Sequence, residues 1–324
     1  MLHLISESNE TVKGRVIFIH GLGGDWRETW SHEKGETTSY WLNWLANDFP
    51  EFQVWSLDYN ASPSAWFGST MPIIDRASNV LTELDARGFG DVPILLVCHS
   101  LGGILAKQLL RTALELNDHS WQKIATQIKS IVFLATPHDG SRLASYLGIL
   151  SKLLRVSVSV KELEAGASSA RDLGNWFRNS KSLAELNIDT KVFFETQTIS
   201  GALVVDPSSA NPGINGVVPS PIDADHFTIC KPKSRSDLVY ISVSKFIRDT
   251  FKKQNFKTSK SLSKKNDIDS ENSSIEILDS EKKNNKNIEK SPIKKGGITT
   301  GNITVKDGNI IVAEKIGNID LSRK

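Results

Sequence analysis

Cysteine is scarce in this chain: Cys98 and Cys230 are the only two among 324 residues. Two isolated thiols exclude a disulfide framework and point to a reducing, cytoplasmic setting. No run of about 18 apolar residues occurs, so a membrane-spanning helix is not expected. Residues 1–10 also lack the basic start and apolar stretch of a secretion signal. Nowhere do His, Cys, Asp and Glu fall at ligand spacing, so neither a metal nor a cofactor is expected. Aromatic side chains stop at Phe256, and residues 252–324 hold 16 Lys and Arg against 10 Asp and Glu. Mixed charge without aromatics argues against a nucleic-acid-binding arm.

What remains is a body of about 250 residues, a size that commonly forms one α/β domain. Its most informative segment is Cys98–Gly103, CHSLGG, set between the apolar run Val92–Val97 and a helical pattern starting at Leu101. A strand, a sharp turn and a helix there lift the Ser100 hydroxyl above a sheet with a helix N-terminus behind it. The usual pattern is G-x-S-x-G, and Cys98 stands where the first glycine would be. Ser100 is the candidate nucleophile.

Three segments supply its partners. In Arg15–Gly24, RVIFIHGLGG, an H-G-x-G-G turn follows a short buried strand, and its glycines leave the Leu22 N–H unobstructed. Together with the N–H of Leu101 it can form an oxyanion hole. A phosphate loop is the competing reading, but no Lys-Ser/Thr follows and the G-x-G-x-x-G spacing is absent. In Asp223–Cys230, DADHFTIC, His226 comes last in the order Ser, acid, His, and is the candidate base. In Lys191–Ser200, KVFFETQTIS, a strand runs straight into Glu195. A carboxylate buried at a strand end costs several kcal/mol unless paired, and His226 would pair it. Asp206, in VVDPSSA, is the alternative acid, although Asp-Pro-Ser-Ser is also ordinary turn chemistry.

IFIHGLGG, the Trp-rich stretch after it, CHSLGG, FLATPHDGS, FFET and DADHFTICKP occur in one order across residues 14–251. This set resembles the α/β-hydrolases of the serine-active-site-containing lipase-like family, related to GPI inositol-deacylase-type hydrolases. The resemblance implies a Ser–acid–His esterase or lipase. Members of that family tend to read G-H-S and P-H-R-G-S, so Cys98 and Asp139 depart from it. Neither departure touches a catalytic atom, but Asp139 leaves the substrate head group open.

The element order agrees. Val16–Ile19, Val54–Leu57, Ile94–Val97, Ile131–Leu134 and Val192–Phe194 read as buried strands alternating with helices. Such runs predict a mostly parallel sheet covered on both faces, with active groups at the strands' C-terminal ends. On the helix after Ser100, Ile104, Leu105, Leu109, Leu110, Ala113 and Leu114 form an apolar face, and Lys107, Gln108 and Arg111 the opposite one. His99 is expected to face away from the chemistry, and His20 and His138 to shape the loop rim. Trp26 and Trp30 follow the glycine turn and are candidates to line the acyl pocket, whereas Trp41, Trp44 and Trp55 read as core. Residues 141–180 turn helical, with Leu143, Leu147, Leu150, Leu153 and Leu154 on one stripe, and read as a cap. Lys152 and Arg155 give it little basic charge, so membrane contact would be peripheral.

The domain reading is therefore a hydrolase at 1–256, a disordered linker at 257–295 and a β-prone Gly/Asn-rich motif at 296–320. In that motif Ile303, Val305, Ile310, Val312 and Ile316 are β-formers, and Asp307-Gly308 is a hairpin signal. An isolated hairpin is marginal in water and needs a partner. The segment resembles amyloid signalling motifs at the termini of microbial cell-death effectors. That implies self-assembly, or templating by a receptor carrying a matching motif. A disordered tail, or a strand docked on the hydrolase, is the plain alternative. The expected activity is hydrolysis of a carboxylic ester, with a lipid as candidate substrate. A non-catalytic assembly protein on the same fold, and an amidase or thioesterase with the same machinery, are the other readings.

Overall fold

The computed structural model describes residues 1–6, 11–61, 71–140, 142–153 and 160–253, together with 304–306 and 309–311. The chain divides into two compact units, Met1–Lys260 and Ser261–Lys324. The first is built on a seven-stranded sheet of order β1-β3-β2-β4-β5-β6-β7. Its strands are β1 (Leu2–Ser6), β2 (Gly14–Ile19), β3 (Phe52–Leu57), β4 (Ile94–His99), β5 (Ile128–Leu134), β6 (Asp189–Glu195) and β7 (Ser220–Ile222). Only β1 runs antiparallel to its neighbour; the remaining pairs are parallel.

Every residue of β2 and β4 is buried, as expected for parallel strands covered on both faces. Two apolar layers do the covering. On one side Phe18, Val97 and Phe193 pack against α1 (Trp41–Asp48) and the helix over residues 238–253. On the other, Ile17, Leu96 and Phe133 pack against α2 (Ile73–Ala86), α3 (Gly102–Glu115) and α4 (His119–Gln127). The segment expected to form a cap, 141–180, holds α5 (Leu143–Leu153) and α6 (Val160–Asn179), and α7 (Lys181–Glu185) follows it. Leu143, Leu147 and Leu150 of the expected stripe are buried, and Leu154 lies outside the described residues.

On the polar side expected for α3, Arg111 stays partly exposed and pairs with Asp172, but Lys107 and Gln108 are not solvated. Lys107 is 1% exposed and Gln108 7%, because α6 lies over that side and buries Leu173 and Phe177 there. The Lys107 ammonium sits 4.9 Å from the ring centre of Phe177 and 5.8 Å from that of Phe133. Burial pulls its pKa down from 10.5 to about 7, and the Arg178 charge adds to the effect. In the unfolded chain the amine titrates at its ordinary value, so between pH 7 and 10.5 the unfolded state binds more protons. The site's contribution to stability therefore rises with pH across that window and is least favourable at pH 7 and below. Lys107→Met should be more stable than the parent at pH 7 by a few kcal/mol, with the gap narrowing toward pH 10. Denaturant unfolding of both proteins at pH 7, 8.5 and 10 checks this. A gap constant with pH would contradict it.

In the second unit, β8 (Thr304–Lys306) and β9 (Asn309–Ile311) pair antiparallel, with Val305 opposite Ile310. Lys306 opposite Asn309 leaves two residues for the connection, where Asp307-Gly308 was expected to turn. That dipeptide itself, Ile303, Val312, Ile316 and the linker 257–295 lie outside the described residues.

Candidate active site

Strand β4 ends at His99, and Ser100 then adopts φ 55° before α3 begins. A left-handed serine between a strand and a helix is a strained position that the surroundings must hold. They do so from two sides. The Ser100 N–H donates to the Leu134 carbonyl at 2.9 Å, and the Thr136 hydroxyl donates to the Ser100 carbonyl at 3.0 Å. Close approach needs glycine: a Cβ on Gly102 would lie 2.3 Å from the Ile19 carbonyl oxygen, and one on Gly21 2.5 Å from the Ser100 Cβ. The Ser100 hydroxyl is thereby placed at the C-terminal edge of the sheet, beside the glycine turn.

Leu101 follows Ser100 in sequence and Leu22 follows Gly21, which packs against Ser100; both leucines are buried. Among the described residues neither backbone N–H has an acceptor within the chain. Gly23 turns the loop at φ 64°, and its N–H donates to the Ala61 carbonyl at 2.8 Å. The Tyr59 hydroxyl donates to the His20 carbonyl, and its ring stacks on the His20 imidazole.

Glu195 is the last residue of β6 and is fully buried. Its Oε1 stands 3.4 Å from Nδ1 of His226, which is also fully buried. The same oxygen accepts the Val205 N–H. Asp206 is elsewhere: it accepts from the Ser208 and Ser209 amides and from Arg142 at 2.7 Å, on the exposed turn that its sequence suggests. These donors hold its pKa down at about 2 despite the opposing effect of desolvation. The carboxylate beside His226 is therefore that of Glu195.

Several expectations need correction. His99 does not turn away from the chemistry; its Nε2 donates to the His226 carbonyl oxygen at 2.9 Å and fastens the loop that carries that residue. Burial, and then the neighbouring His226, keep the His99 imidazole well below its usual pKa and so neutral. The other side of the loop is fastened by the Trp41 indole N–H, which donates to the Cys230 carbonyl at 3.0 Å. His20 and His138 are core residues rather than rim, with 0% and 2% exposure. Trp30 is fully buried edge-on against Phe18 and Trp41, and Trp26 stacks on His3, so neither borders the cavities around Ser100.

One residue at the site carries no signal in the sequence. Tyr146, on α5, places its hydroxyl in short contact with Ser100 Oγ and 3.3 Å from His226 Nε2. It is 4% exposed, and burial pushes its phenol pKa up, so it remains a hydrogen-bond donor at all ordinary pH. At its spacing from Leu143 and Leu147 a tyrosine reads as one more apolar residue of a cap stripe.

Three cavities surround this cluster. The largest, about 300 Å³, runs beside Leu101 between Ile104, Leu143, Ala170 and Leu173. A second of about 250 Å³ borders Tyr146, Val204 and Asp206. A third of about 180 Å³ lies against Leu22, His99, Phe227 and Lys231. Among the described residues no cluster could hold a metal ion, and no helix is long and apolar enough to cross a membrane.

A serine on a strand–helix elbow, a histidine after the seventh strand and a mostly parallel sheet with a helical cap define an α/β-hydrolase fold. Residues 11–187 match the PGAP1-like alpha/beta domain, and the chain belongs to that family. It is 32% identical to Protein SERAC1 of Homo sapiens over 279 residues, 78% of this chain but 41% of that one. Protein SERAC1 of Danio rerio is 31% identical over 275 residues, again covering 41% of the relative. The chain thus spans less than half the length of these curated relatives. Among solved structures, a carboxylesterase study of Nitrososphaera gargenis matches 78% of this chain and 95% of that one at 12% identity, with a TM-score of 0.48.

Proposed function

We propose that the chain is a serine hydrolase that cleaves a carboxylic ester through an acyl-enzyme. The observation that carries this is the convergence of Ser100 at φ 55°, the buried Glu195–His226 pair at 3.4 Å and the Leu22 and Leu101 amides at one sheet edge. In the reaction, Ser100 Oγ attacks the carbonyl carbon while His226 Nε2 takes its proton. Glu195 holds the imidazole with Nδ1–H toward its carboxylate, leaving Nε2 as the acceptor. The two amides receive the charge that develops on the carbonyl oxygen. His226 returns the proton to the leaving alcohol, and a water activated the same way releases the acid. The cavity beside Leu101, with Ile104, Leu143 and Leu173 on one part of its wall and Gln108, Arg111 and Asp172 on another, is the place for the acyl group and suits a lipid-like substrate.

The purified chain should hydrolyse p-nitrophenyl esters, with kcat/KM rising as the acyl chain lengthens from two to about eight carbons. A parallel thioester and amide series separates the acyl-transfer chemistries, since an amidase or thioesterase would prefer those leaving groups. No turnover of any of the three, and no covalent reaction with a fluorophosphonate, would leave a non-catalytic protein on this fold.

We also propose that 296–320 assembles with copies of itself or with a receptor bearing a like segment, recruiting the hydrolase to a signalling site in the cytoplasm. Support comes from the β8–β9 pairing and from the β-forming, proline-free sequence around it. A peptide of residues 296–320 should form fibrils with a 4.7–4.8 Å meridional spacing. Proline at both Val305 and Ile311 should abolish them while ester turnover by the full chain stays unchanged. A peptide that stays soluble with or without seed would contradict the assembly role.

A further inference from the structure

Tyr146 stands where the reaction has to happen. Its hydroxyl touches Ser100 Oγ and lies 3.3 Å from His226 Nε2, the atom that has to receive the serine's proton. For attack, a carbonyl carbon must come within about 3–3.5 Å of Oγ. The phenol fills that space. A proton on Nδ1, toward Glu195, leaves the lone pair on Nε2, and in that tautomer the tyrosine O–H donates to it and occupies the base. Ser100 is 1% exposed, and none of the three cavities is bordered by Ser100 or His226. They instead end on its neighbours Leu101, Leu22, His99 and on Tyr146 itself.

We propose that Tyr146 is a latch on the cap: it holds the serine and the histidine in a closed state, and α5 must withdraw it before an ester can bind. This inference rests on the hydrolase reading given above. The latch is polar at its tip alone. Leu143, Leu147 and Leu150 bury the rest of α5 against the body, so the hydroxyl adds two hydrogen bonds to an otherwise apolar contact. Two neutral hydrogen bonds set a modest closed-to-open preference that substrate binding can overcome. When the tyrosine leaves, the cavity that it borders, beside Val204 and Asp206, opens toward the serine.

A proton relay from serine through the phenol to the histidine is the other role for a hydroxyl in this position. The space requirement disfavours it, since the relay needs tyrosine and carbonyl at Oγ together.

The test compares the full-length parent with Tyr146→Phe and Tyr146→Ala. One readout is the second-order rate of fluorophosphonate addition to Ser100, located by peptide mass spectrometry. The other is backbone hydrogen exchange over residues 143–153, which requires no chemistry at the serine. A latch predicts faster labelling, about three- to tenfold for the phenylalanine variant and more for the alanine one, with faster exchange in both. Labelling of the parent at Ser100 with equal or slower labelling of Tyr146→Phe overturns the latch, and a loss of a hundredfold would assign the relay. Faster exchange in both variants without labelling of any of the three would keep the latch and overturn the hydrolase reading. Tyr146→Phe preserves the ring and its packing, so it keeps the comparison valid if the alanine variant unfolds.

Discussion

Ser100→Ala should lower ester turnover at least about 10³-fold, with the melting temperature within a few degrees of the parent. The magnitude follows from what the hydroxyl does. Without it no acyl-enzyme forms, and only the two oxyanion amides and the binding cavities remain to accelerate direct attack by water. The fold should tolerate the change, because Ser100 is held through its backbone N–H and carbonyl, and alanine keeps both. Its positive φ is as costly for alanine as for serine, so no new strain enters. Steady-state kinetics on the best ester, beside a thermal melt, decide the matter. Residual activity within tenfold of the parent would remove Ser100 as nucleophile.

The second large effect separates two carboxylates. Glu195→Gln should cost on the order of 10²–10⁴ in kcat, because an amide can present N–H to Nδ1 and stabilise the wrong tautomer of His226. It also removes the charge that stabilises the imidazolium formed during attack. Asp206→Asn should cost less than tenfold, since Asp206 bonds Arg142 and its own turn, at the foot of the cap. The amide keeps the oxygen that accepts from Ser208 and Ser209. Both variants differ from the parent by a single charge and almost no volume, so kcat on one ester compares them directly. A loss confined to Asp206→Asn would reverse the assignment and imply that the loop carrying it moves to His226 in the working enzyme.

How far the sequence carried depends on what kind of signal each residue leaves. Strands β2 to β6 were legible because parallel strands buried on both faces must be continuously apolar. β7, a Ser-Pro-Ile triplet, has neither length nor pattern to betray it, and β1 is a short edge of mixed character. The turns that carry Ser100 and Leu22 were legible because the elbow and the glycine turn are backbone requirements written directly in residue type. Glu195 could be found by asking why a carboxylate should end a buried strand. The structure places the Glu195 carboxylate beside His226 and Asp206 on its own turn. Lys107 was misread because a charged residue opposite an apolar stripe ordinarily faces water, and only the presence of α6 makes that position interior. Tyr146 and the fastening role of His99 were invisible for a common reason. Each depends on a contact between segments, over 46 residues to Ser100 in one case and 127 residues to the His226 carbonyl in the other. No local spacing encodes such a meeting.

The bond from His99 to the His226 carbonyl has a mechanical consequence. Ser100, the proposed nucleophile, and His99, which anchors the loop of His226, are consecutive residues at the end of one strand, joined by a single peptide unit. Any thermal displacement of that strand end therefore carries both of them in the same direction. The spacing between attacking oxygen and proton acceptor is then governed by the stiffness of one peptide bond and one hydrogen bond. The summed looseness of the many residues between them along the chain does not enter. Vibration of the sheet edge becomes a shared translation, and the relative alignment on which a short proton transfer depends is shielded from it.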